Sequence, residues 1–224
     1  MSESGVIFDM DGVLVDSYRA HFRSWQRLAD EAGVAITEQQ FAATFGRTTR
    51  EIILHLWPGR FAGEDIGEWD EMKEAAYRDI LRADFPAMDG AEELLAALHE
   101  EGFAMAIGSS GPPENVALVM SCLDGAEHIS ATVDGTQVTR GKPDPMVFLT
   151  AAEKLGLAPA ACAVVEDAPA GVEAARRAGM TAIGLTGTAR REKLAERAHL
   201  VVDSLRELSA DRIADLIGER GPAR

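Results

Sequence analysis

The sequence predicts an α/β protein with a doubly wound, Rossmann-like parallel sheet and an inserted α-helical cap domain. The first observation is that short apolar segments bounded by Gly, Asp or Ser recur along the chain. Buried parallel strands have this pattern because helices cover both of their faces. The second observation is that amphipathic helical segments separate them, and such alternation places the strands in one parallel sheet.

Five segments are predicted as strands, and each is followed by a helical pattern or a turn. They are Val6–Phe8, Ala104–Ile107, Ala161–Val165, Thr181–Leu185 and Leu200–Val202. The intervening segments carry apolar residues at helical spacing, and several end at a glycine, which favours helix termination. These helical segments read "GAEELLAALHEEG", "PPENVALVMSCL", "DPMVFLTAAEKLGL" and "AGVEAARRAGM", and a last helix is expected after about residue 205.

One interval is too long for a strand–helix–strand unit. The first strand ends near Asp9 and the next begins near Ala104, whereas such a unit needs only ~30 residues. The surplus is helical, because Phe22, Trp25 and Leu28 form an amphipathic stripe. We therefore predict a helical cap domain over 16–84 and a core domain over 1–15 and 85–224, and we expect the cap to cover the end of the first strand.

Composition and charge exclude several classes of protein. The chain has 224 residues, of which 46% are hydrophobic and 26% charged, and its formal net charge is −15. A nucleic-acid or anionic-membrane partner would be repelled by that charge. Cys122 and Cys162 lack the spacing of a zinc site or a disulfide scaffold. No signal-peptide pattern or long apolar run occurs, so we expect a cytoplasmic monomer acting on a small molecule.

Four short motifs follow predicted strands or open predicted helices. They are "DMDGV" with Asp9 and Asp11, "IGSS" with Ser109, "GKPDP" with Lys142, and "VVEDAPAG" with Glu166 and Asp167. Each one alone has a structural explanation as a turn, a helix cap or a surface loop. Because ligands bind beyond the carboxyl ends of parallel strands, their joint occurrence predicts one site at that edge.

The chemistry that these residue types share is phosphoryl transfer. Clustered carboxylates from Asp9, Asp11, Glu166 and Asp167 would repel one another unless a cation binds. Oxygen ligands at a water-accessible edge suit Mg²⁺, which also bridges to substrate phosphate. A lysine ammonium and a serine hydroxyl, here Lys142 and Ser109, can hold phosphate oxygens.

The two aspartates of the first motif can have different roles in the reaction. A carboxylate can attack phosphorus directly and form an aspartyl-phosphate. A second carboxyl group can protonate the leaving oxygen and later deprotonate the attacking water.

On these four motifs, in this order, the chain resembles the haloacid dehalogenase superfamily, in the subgroup whose helical cap follows the first motif. The resemblance implies Asp9 as nucleophile, Asp11 as general acid and base, and Ser109 with Lys142 as phosphate binders. It also implies Mg²⁺ held by Asp9, the Asp11 backbone carbonyl and Asp167, with help from Glu166. The dehalogenase branch lacks the second aspartate, so Asp11 argues against that activity.

Residues of the predicted cap look similar to those of β-phosphoglucomutase and its related sugar phosphatases. "AHFRSW" contains His21, "TTRE" contains Arg50, and "KEAAY" contains Lys73 and Tyr77. In that subgroup the matched His, Arg and Lys face the substrate. The structural alternatives remain open: His21 as a surface or hinge residue, Arg50 and Lys73 as solvated charges, and Tyr77 as core packing.

The residues after Ser109 favour hydrolysis over mutase activity. Ser110 is a candidate substrate-binding residue, but it is followed by Gly-Pro-Pro, where the mutases offer polar and basic side chains. Fewer phosphate contacts would hold a bisphosphate intermediate poorly. We therefore expect a Mg²⁺-dependent phosphatase of a small phosphorylated metabolite, with a phosphosugar mutase and a non-catalytic phosphometabolite-binding protein as the alternatives. The segment "TGTARREKLAERA" is predicted to be a loop and a solvated helix without a site.

Overall fold

The computed structural model describes residues 4–44, 49–61 and 65–219. The chain divides into two compact units. Met1–Asp16 and Pro86–Arg224 form the first, which we call the core unit, and Ser17–Phe85 form the second, the helical unit. The sequence analysis placed the corresponding boundaries at 15/16 and 84/85.

The core unit is built on a six-stranded parallel sheet. Its strands are β1 (Gly5–Phe8), β2 (Ala104–Gly108), β3 (Ile129–Val133), β4 (Cys162–Glu166), β5 (Thr181–Leu185) and β6 (Leu200–Val202). They are arranged in the order β3-β2-β1-β4-β5-β6, and every neighbouring pair is parallel. The predicted doubly wound α/β fold is therefore confirmed. The order reverses between β1 and β4, and such a reversal opens a crevice at the carboxyl ends of the strands.

Helices flank this sheet. In the core unit they are α5 (Ala91–Glu100), α6 (Pro113–Cys122), α7 (Met146–Leu155), α8 (Pro169–Arg177), α9 (Arg191–Ala195) and α10 (Ala210–Gly218). Fully buried side chains of strands and helices, such as Ile7, Phe148 and Val164, belong to one apolar cluster. This packing explains why the central strands read as continuous apolar segments rather than alternating ones.

The sequence analysis missed β3. This strand lies at the edge of the sheet and its sequence, ISATV, places Ser130 and Thr132 among apolar residues. Only Ile129 and Val133 are buried in it. Ser130 and Thr132 interrupt the apolar run of β3, whereas the other edge strand, β6, is apolar throughout, so the pattern used for the other five strands did not apply to β3.

The helical unit contains α1 (Tyr18–Glu31), α2 (Glu38–Thr44), α3 (Thr49–Leu56) and α4 (Ile66–Ala83) in the part of it that the structure describes. Its core includes Trp25, Leu28 and Phe61, so the apolar stripe predicted on α1 faces inward. Trp57 and Trp69 pack against this core, and Trp69 meets Phe61 edge to face with ring centroids 5.1 Å apart. Across the described residues, no helix combines the length and the apolar character needed to cross a membrane.

Candidate active site

Three of the four motifs follow adjacent strands at one edge of the sheet. Asp9 follows β1, Ser109 follows β2, and Glu166 and Asp167 stand at the end of β4. Phe8 pairs in register with Ile107 of β2 and with Val165 of β4. Parallel pairing therefore carries these polar residues to the same edge, where the strand order reverses.

Lys142 joins the motifs of β1 and β4. Its Nζ donates to Oδ1 of Asp9 at 2.5 Å and to Oε2 of Glu166 at 2.7 Å. The side chains of Lys142 and Asp9 are each 10% exposed and that of Glu166 is 2% exposed. The third motif does not directly follow a strand. It contributes to the site through the side chain of this lysine.

Three carboxylates cluster at this edge of the sheet, and two of them pair with this ammonium group. One oxygen from each of Asp9, Glu166 and Asp167 lies within 4.8 Å of the others, and all three residues are buried. Lys142 offsets only one of the three negative charges when all are ionised. Buried charge of one sign is costly, so the site has the composition of a cation site.

The pKa values of the acidic side chains reflect the same excess of negative charge. Burial, and next the charge of Glu166, raise the pKa of Asp9 to about 7. Burial, followed by repulsion from Glu166 and Asp9, raises the pKa of Asp167 well above its usual value. Burial alone would lower the pKa of Lys142, but the neighbouring carboxylates Asp9 and Glu166 raise it overall. The lysine thus stays charged while the acids favour a proton or another cation.

Two glycines make room for the carboxylates. Gly12 adopts a positive φ of 79°, and a Cβ at this position would overlap the carboxylate of Asp167. Gly171, in the first turn of α8, lies so close to Glu166 that a Cβ there would overlap its carboxylate. Both glycines belong to the predicted motifs, but their steric role is visible only in the structure.

Asp11 lies near the cluster without joining it. Its charge makes a small contribution to the raised pKa of Asp9. Gly12 N–H donates to the Val15 carbonyl at 2.8 Å, which closes the turn after β1. Among the described residues, the side chains that form the metal-sized cluster are those of Asp9, Glu166 and Asp167.

The second motif forms a tight turn. Ser109 is buried, and its Oγ accepts from Gly111 N–H at 3.0 Å. Its own hydroxyl proton can still be donated, because a hydroxyl both donates and accepts. Ser110 is exposed.

In the helical unit the structure brings three of the four predicted residues together. Nζ of Lys73 lies 3.0 Å from Nδ1 of His21 and 2.6 Å from Oε1 of Glu74. The ring of His21 stacks on Tyr77 with centroids 4.1 Å apart. Because a lysine ammonium only donates, Nδ1 of His21 accepts. Lys73 and Tyr77 are buried, and the predicted Arg50 is exposed near the start of α3.

The sequence analysis missed Thr188. The segment after β5 was predicted to contain no site, yet the Thr188 side chain opposes the rise in the pKa of Asp167, and its Oγ1 would lie 3.2 Å from a Cβ built on Gly12. A threonine in a polar loop carries no spacing signal, so the sequence alone could not have identified it.

Comparison with known proteins points to one family. The family model for haloacid dehalogenase-like hydrolases matches residues 4–179. The chain is 34% identical to validoxylamine A 7'-phosphate phosphatase from Streptomyces hygroscopicus subsp. limoneus over 88% of this chain and 92% of that protein. It is 31% identical to β-phosphoglucomutase from Bacillus subtilis strain 168, over 80% of this chain and 82% of that enzyme.

A solved structure supports the same assignment. The crystal structure of a HAD hydrolase, family IA, variant 3, from Entamoeba histolytica aligns with a TM-score of 0.86 and 27% identity. The alignment covers 96% of this chain and 99% of that one. The likeness therefore extends beyond the residues that the family model matches.

Proposed function

The chain belongs to the haloacid dehalogenase-like hydrolases, and we propose that it is a Mg²⁺-dependent phosphatase of a small phosphorylated metabolite, namely a sugar phosphate. The observation that carries the proposal is the buried set of Asp9, Glu166 and Asp167, of which Asp9 and Glu166 pair with Lys142. The relatives named above, a phosphatase and a mutase of phosphorylated compounds, support the substrate class.

Magnesium fits the donor atoms of this site. Carboxylate oxygens are its preferred protein ligands, and the three carboxylates here outnumber the Lys142 ammonium group that pairs with two of them. We propose that Asp9 and Asp167 hold the ion, with the Asp11 backbone carbonyl and help from Glu166. When bound, Mg²⁺ would offset the negative charge of the carboxylates and of the substrate phosphate.

We propose Asp9 as the nucleophile. A carboxylate oxygen of Asp9 attacks phosphorus, the bond from phosphorus to the leaving oxygen breaks, and an aspartyl-phosphate forms. Asp11 gives its proton to the leaving oxygen, which departs as an alcohol. Attack requires ionised Asp9, and Lys142 favours that form through its ion pair.

The second step returns the enzyme to its starting state. Asp11, now ionised, takes a proton from water as the water oxygen attacks phosphorus. The bond between phosphorus and Asp9 breaks, which releases inorganic phosphate and regenerates the carboxylate. Lys142 and the Ser109 hydroxyl, with Ser110 beside it, would hold the phosphate oxygens through both steps.

A phosphosugar mutase is the second candidate. The pairing of His21 with Lys73 in the helical unit and the identity to β-phosphoglucomutase favour it, and we propose His21, Arg50 and Lys73 as substrate-binding residues in either case. The sequence after Ser110, Gly-Pro-Pro, provides no basic side chain for a second phosphate. For this reason we propose hydrolysis rather than mutase activity as the main reaction. A non-catalytic binding protein is disfavoured because Asp9 and Lys142 are both present and paired.

We further propose that the protein acts as a cytoplasmic monomer. The proposal rests on the acidic composition and on the internal packing of Trp57, Phe61 and Trp69 in the helical unit.

Product analysis tests the function. Purified protein is incubated with a panel of sugar phosphates, with and without Mg²⁺, including β-glucose 1-phosphate supplemented with glucose 1,6-bisphosphate. Metal-dependent release of inorganic phosphate supports the phosphatase, whereas glucose 6-phosphate without phosphate release supports the mutase. The Asp9→Asn variant is the control, and metal-dependent turnover at the wild-type rate in that variant would contradict the mechanism.

A further inference from the structure

The edge strand β3 and the turn that follows it hold the Ser109 turn at both of its ends. Ser109 N–H donates to the Val133 carbonyl at 2.9 Å, and Gly135 N–H donates to the Gly111 carbonyl at 2.8 Å. Asp134 lies between these two anchoring residues, in a segment where the sequence analysis predicted neither a strand nor a site. The position of the proposed phosphate-binding turn therefore depends on the backbone around Asp134.

The side chain of Asp134 fixes that backbone. Its Oδ1 accepts from Thr136 N–H at 2.9 Å and from Thr136 Oγ1 at 2.5 Å, and its Oδ2 accepts from Gln137 Nε2 at 2.7 Å. Asp134 is 6% exposed, although Thr136 and Gln137 are exposed. Burying a carboxylate is unfavourable unless hydrogen bonds satisfy it, and both of its oxygens are satisfied within this turn. The turn after β3 is thus held in the conformation that aims Gly135 N–H at Gly111.

Gly135 also packs directly against the Ser109 turn. A Cβ built on Gly135 would lie 2.5 Å from the carbonyl oxygen of Ser110 and 3.2 Å from that of Gly111. Gly135 lies outside the left-handed region, so it is the lack of space, rather than backbone strain, that requires glycine here. Neither turn can therefore shift toward the other without a clash.

These contacts set the orientation of the Ser109 hydroxyl. Gly111 N–H donates to Ser109 Oγ at 3.0 Å, so a displacement of Gly111 would move the donor that occupies one lone pair of this oxygen. A hydroxyl oxygen that accepts in a fixed direction can donate its own proton only in the remaining directions. A donor that is oriented in advance binds an anion without the cost of reorganisation.

We propose that Asp134 is a positioning residue for phosphate binding: through Gly135 it holds Gly111, and with it the Ser109 hydroxyl, in the arrangement that binds phosphate oxygens. Asp134 acts through the backbone and does not itself contact the phosphate. The inference rests on the proposed function, because it takes Ser109 to bind phosphate.

The test measures phosphate affinity without relying on catalysis. Protein in MgCl₂ is titrated with inorganic phosphate at constant ionic strength, and the rise in the thermal unfolding midpoint gives an apparent Kd, because a ligand that binds the folded state stabilises it. Asp134→Ala removes the hydrogen bonds to Thr136 and Gln137. We expect it to weaken phosphate binding about ten-fold, the order of loss for one disrupted hydrogen bond to a charged group.

Two further variants separate positioning from a purely structural role. Asp134→Asn keeps an acceptor for Thr136 and suits the same kind of turn, so we expect it to retain wild-type phosphate affinity. Ser209→Ala removes the cap of α10, where Ser209 Oγ accepts from Arg212 N–H at 3.2 Å. We expect it to lower the unfolding midpoint of the phosphate-free protein but not the phosphate affinity. Wild-type affinity in Asp134→Ala, or an equal loss in Asp134→Asn or in Ser209→Ala, would overturn the proposal.

Gly135→Ala perturbs the same contact while keeping the Asp134 carboxylate, so it decides the matter even if Asp134→Ala does not fold. The added methyl group would press on the Ser110 carbonyl oxygen and displace the Ser109 turn. We expect a loss of phosphate affinity similar to that of Asp134→Ala. Wild-type affinity in folded Gly135→Ala protein would show that the Ser109 turn does not depend on the turn after β3, and it would overturn the proposal.

Ser109→Ala distinguishes failure of this inference from failure of the proposed function. If Ser109→Ala loses phosphate affinity while Asp134→Ala does not, the phosphate site stands and the role of Asp134 is rejected. If Ser109→Ala binds phosphate as tightly as the wild-type protein, or if phosphate does not stabilise the wild-type protein, the proposed phosphate-binding role of Ser109 is rejected, and the inference with it.

Discussion

Nζ of Lys142 lies 2.5 Å from Oδ1 of Asp9, and the same ammonium group lies 2.7 Å from Oε2 of Glu166. One largely buried cation, 10% exposed, is thus shared by carboxylates at the ends of two neighbouring strands. The lysine has two roles: its charge favours the ionised form of the proposed nucleophile and so opposes burial and Glu166, which raise the pKa of Asp9, and it allows two acids to be buried together.

Removing this cation should damage both folding and activity. Lys142→Met would leave buried carboxylates without their partner, and breaking a buried ion pair in this way costs about 3–5 kcal/mol. We expect a loss of that order in the free energy of unfolding, measured by urea denaturation, together with loss of phosphate release. Lys154→Met is the matched control, since Lys154 is exposed on α7. Equal stability of the two variants would contradict the shared role of Lys142.

The raised pKa of Asp9 predicts how the stability of metal-free protein depends on pH. Burial, and next repulsion from Glu166, move this pKa from 3.8 to about 7. Between these two values the folded protein keeps a proton that the unfolded chain has released. The free energy of unfolding should therefore fall as pH rises from about 4 to about 7.

Urea denaturation in EDTA at several pH values checks this dependence. Because other groups also titrate, the informative quantity is the difference between wild type and Asp9→Asn, which lacks this ionisation. The wild-type protein should lose stability relative to the variant as pH rises through this window. A difference that does not change with pH would show that Asp9 ionises at an ordinary pKa.

The central strands of the sheet could be predicted from the sequence because strands that are buried on both faces consist mainly of apolar residues. Apart from Thr181 at the start of β5 and Glu166 at the end of β4, the strands β1, β4 and β5 are composed of apolar residues and glycine, and the structure buries every residue in them. The edge strand β3 was missed because it is half polar. Pattern reasoning therefore succeeded where a strand is a continuous apolar run, which includes the edge strand β6, and failed where polar residues interrupt the run.

At the site, the sequence predicted residue types but not distances. The proximity of Asp9, Glu166 and Asp167 could be inferred from the predicted parallel sheet, because the carboxyl ends of parallel strands lie at a common edge. The contact of Lys142 with both Asp9 and Glu166 depends on a long loop, whose path no periodic pattern specifies. Thr188 was missed for the same reason.

Gly171 is predicted to be intolerant of a side chain. An alanine in a helix is normally more stable than glycine by about 1 kcal/mol, but here its Cβ would overlap the Glu166 carboxylate. We expect Gly171→Ala to destabilise the protein by about 1–3 kcal/mol, as overpacking does, and to reduce phosphate release by displacing Glu166.

Gly218 supplies the matched control for this substitution. It lies at the end of α10 with no atom within 4 Å of an added Cβ, so Gly218→Ala should be neutral or slightly stabilising. Urea midpoints of the two variants make the comparison. A stable, fully active Gly171→Ala protein would show that Glu166 can be displaced without consequence.

Cys162 should be chemically inert in the folded protein. Burial at the start of β4 raises the pKa of its thiol to about 11, and the reactive species is the thiolate. Cys122 is partly exposed. At pH 8 we expect iodoacetamide to modify Cys122 first, with both residues reacting at similar rates in urea. Mass spectrometry of peptides over time gives the rates, and rapid labelling of Cys162 without denaturant would indicate that β4 opens readily.

Arg50 and Lys73 carry the same predicted role but differ in their surroundings, so their variants should behave differently. Lys73 is buried and donates to His21 and Glu74, and its replacement by Met should cost about 1–3 kcal/mol of stability, because buried polar groups lose a partner. Arg50 is exposed, and Arg50→Ala should change stability by less than about 0.5 kcal/mol.

Arg50→Ala is therefore the cleaner test of substrate binding. If Arg50 contacts the substrate equally in the ground and transition states, the variant should raise KM while kcat stays unchanged. Steady-state kinetics on the best substrate of the panel, with unfolding midpoints measured in parallel, distinguish this effect from loss of fold. Unchanged KM would identify Arg50 as a solvated charge at the start of α3. In that case a loss of activity in Lys73→Met would have to be separated from its loss of stability before Lys73 could be assigned to binding.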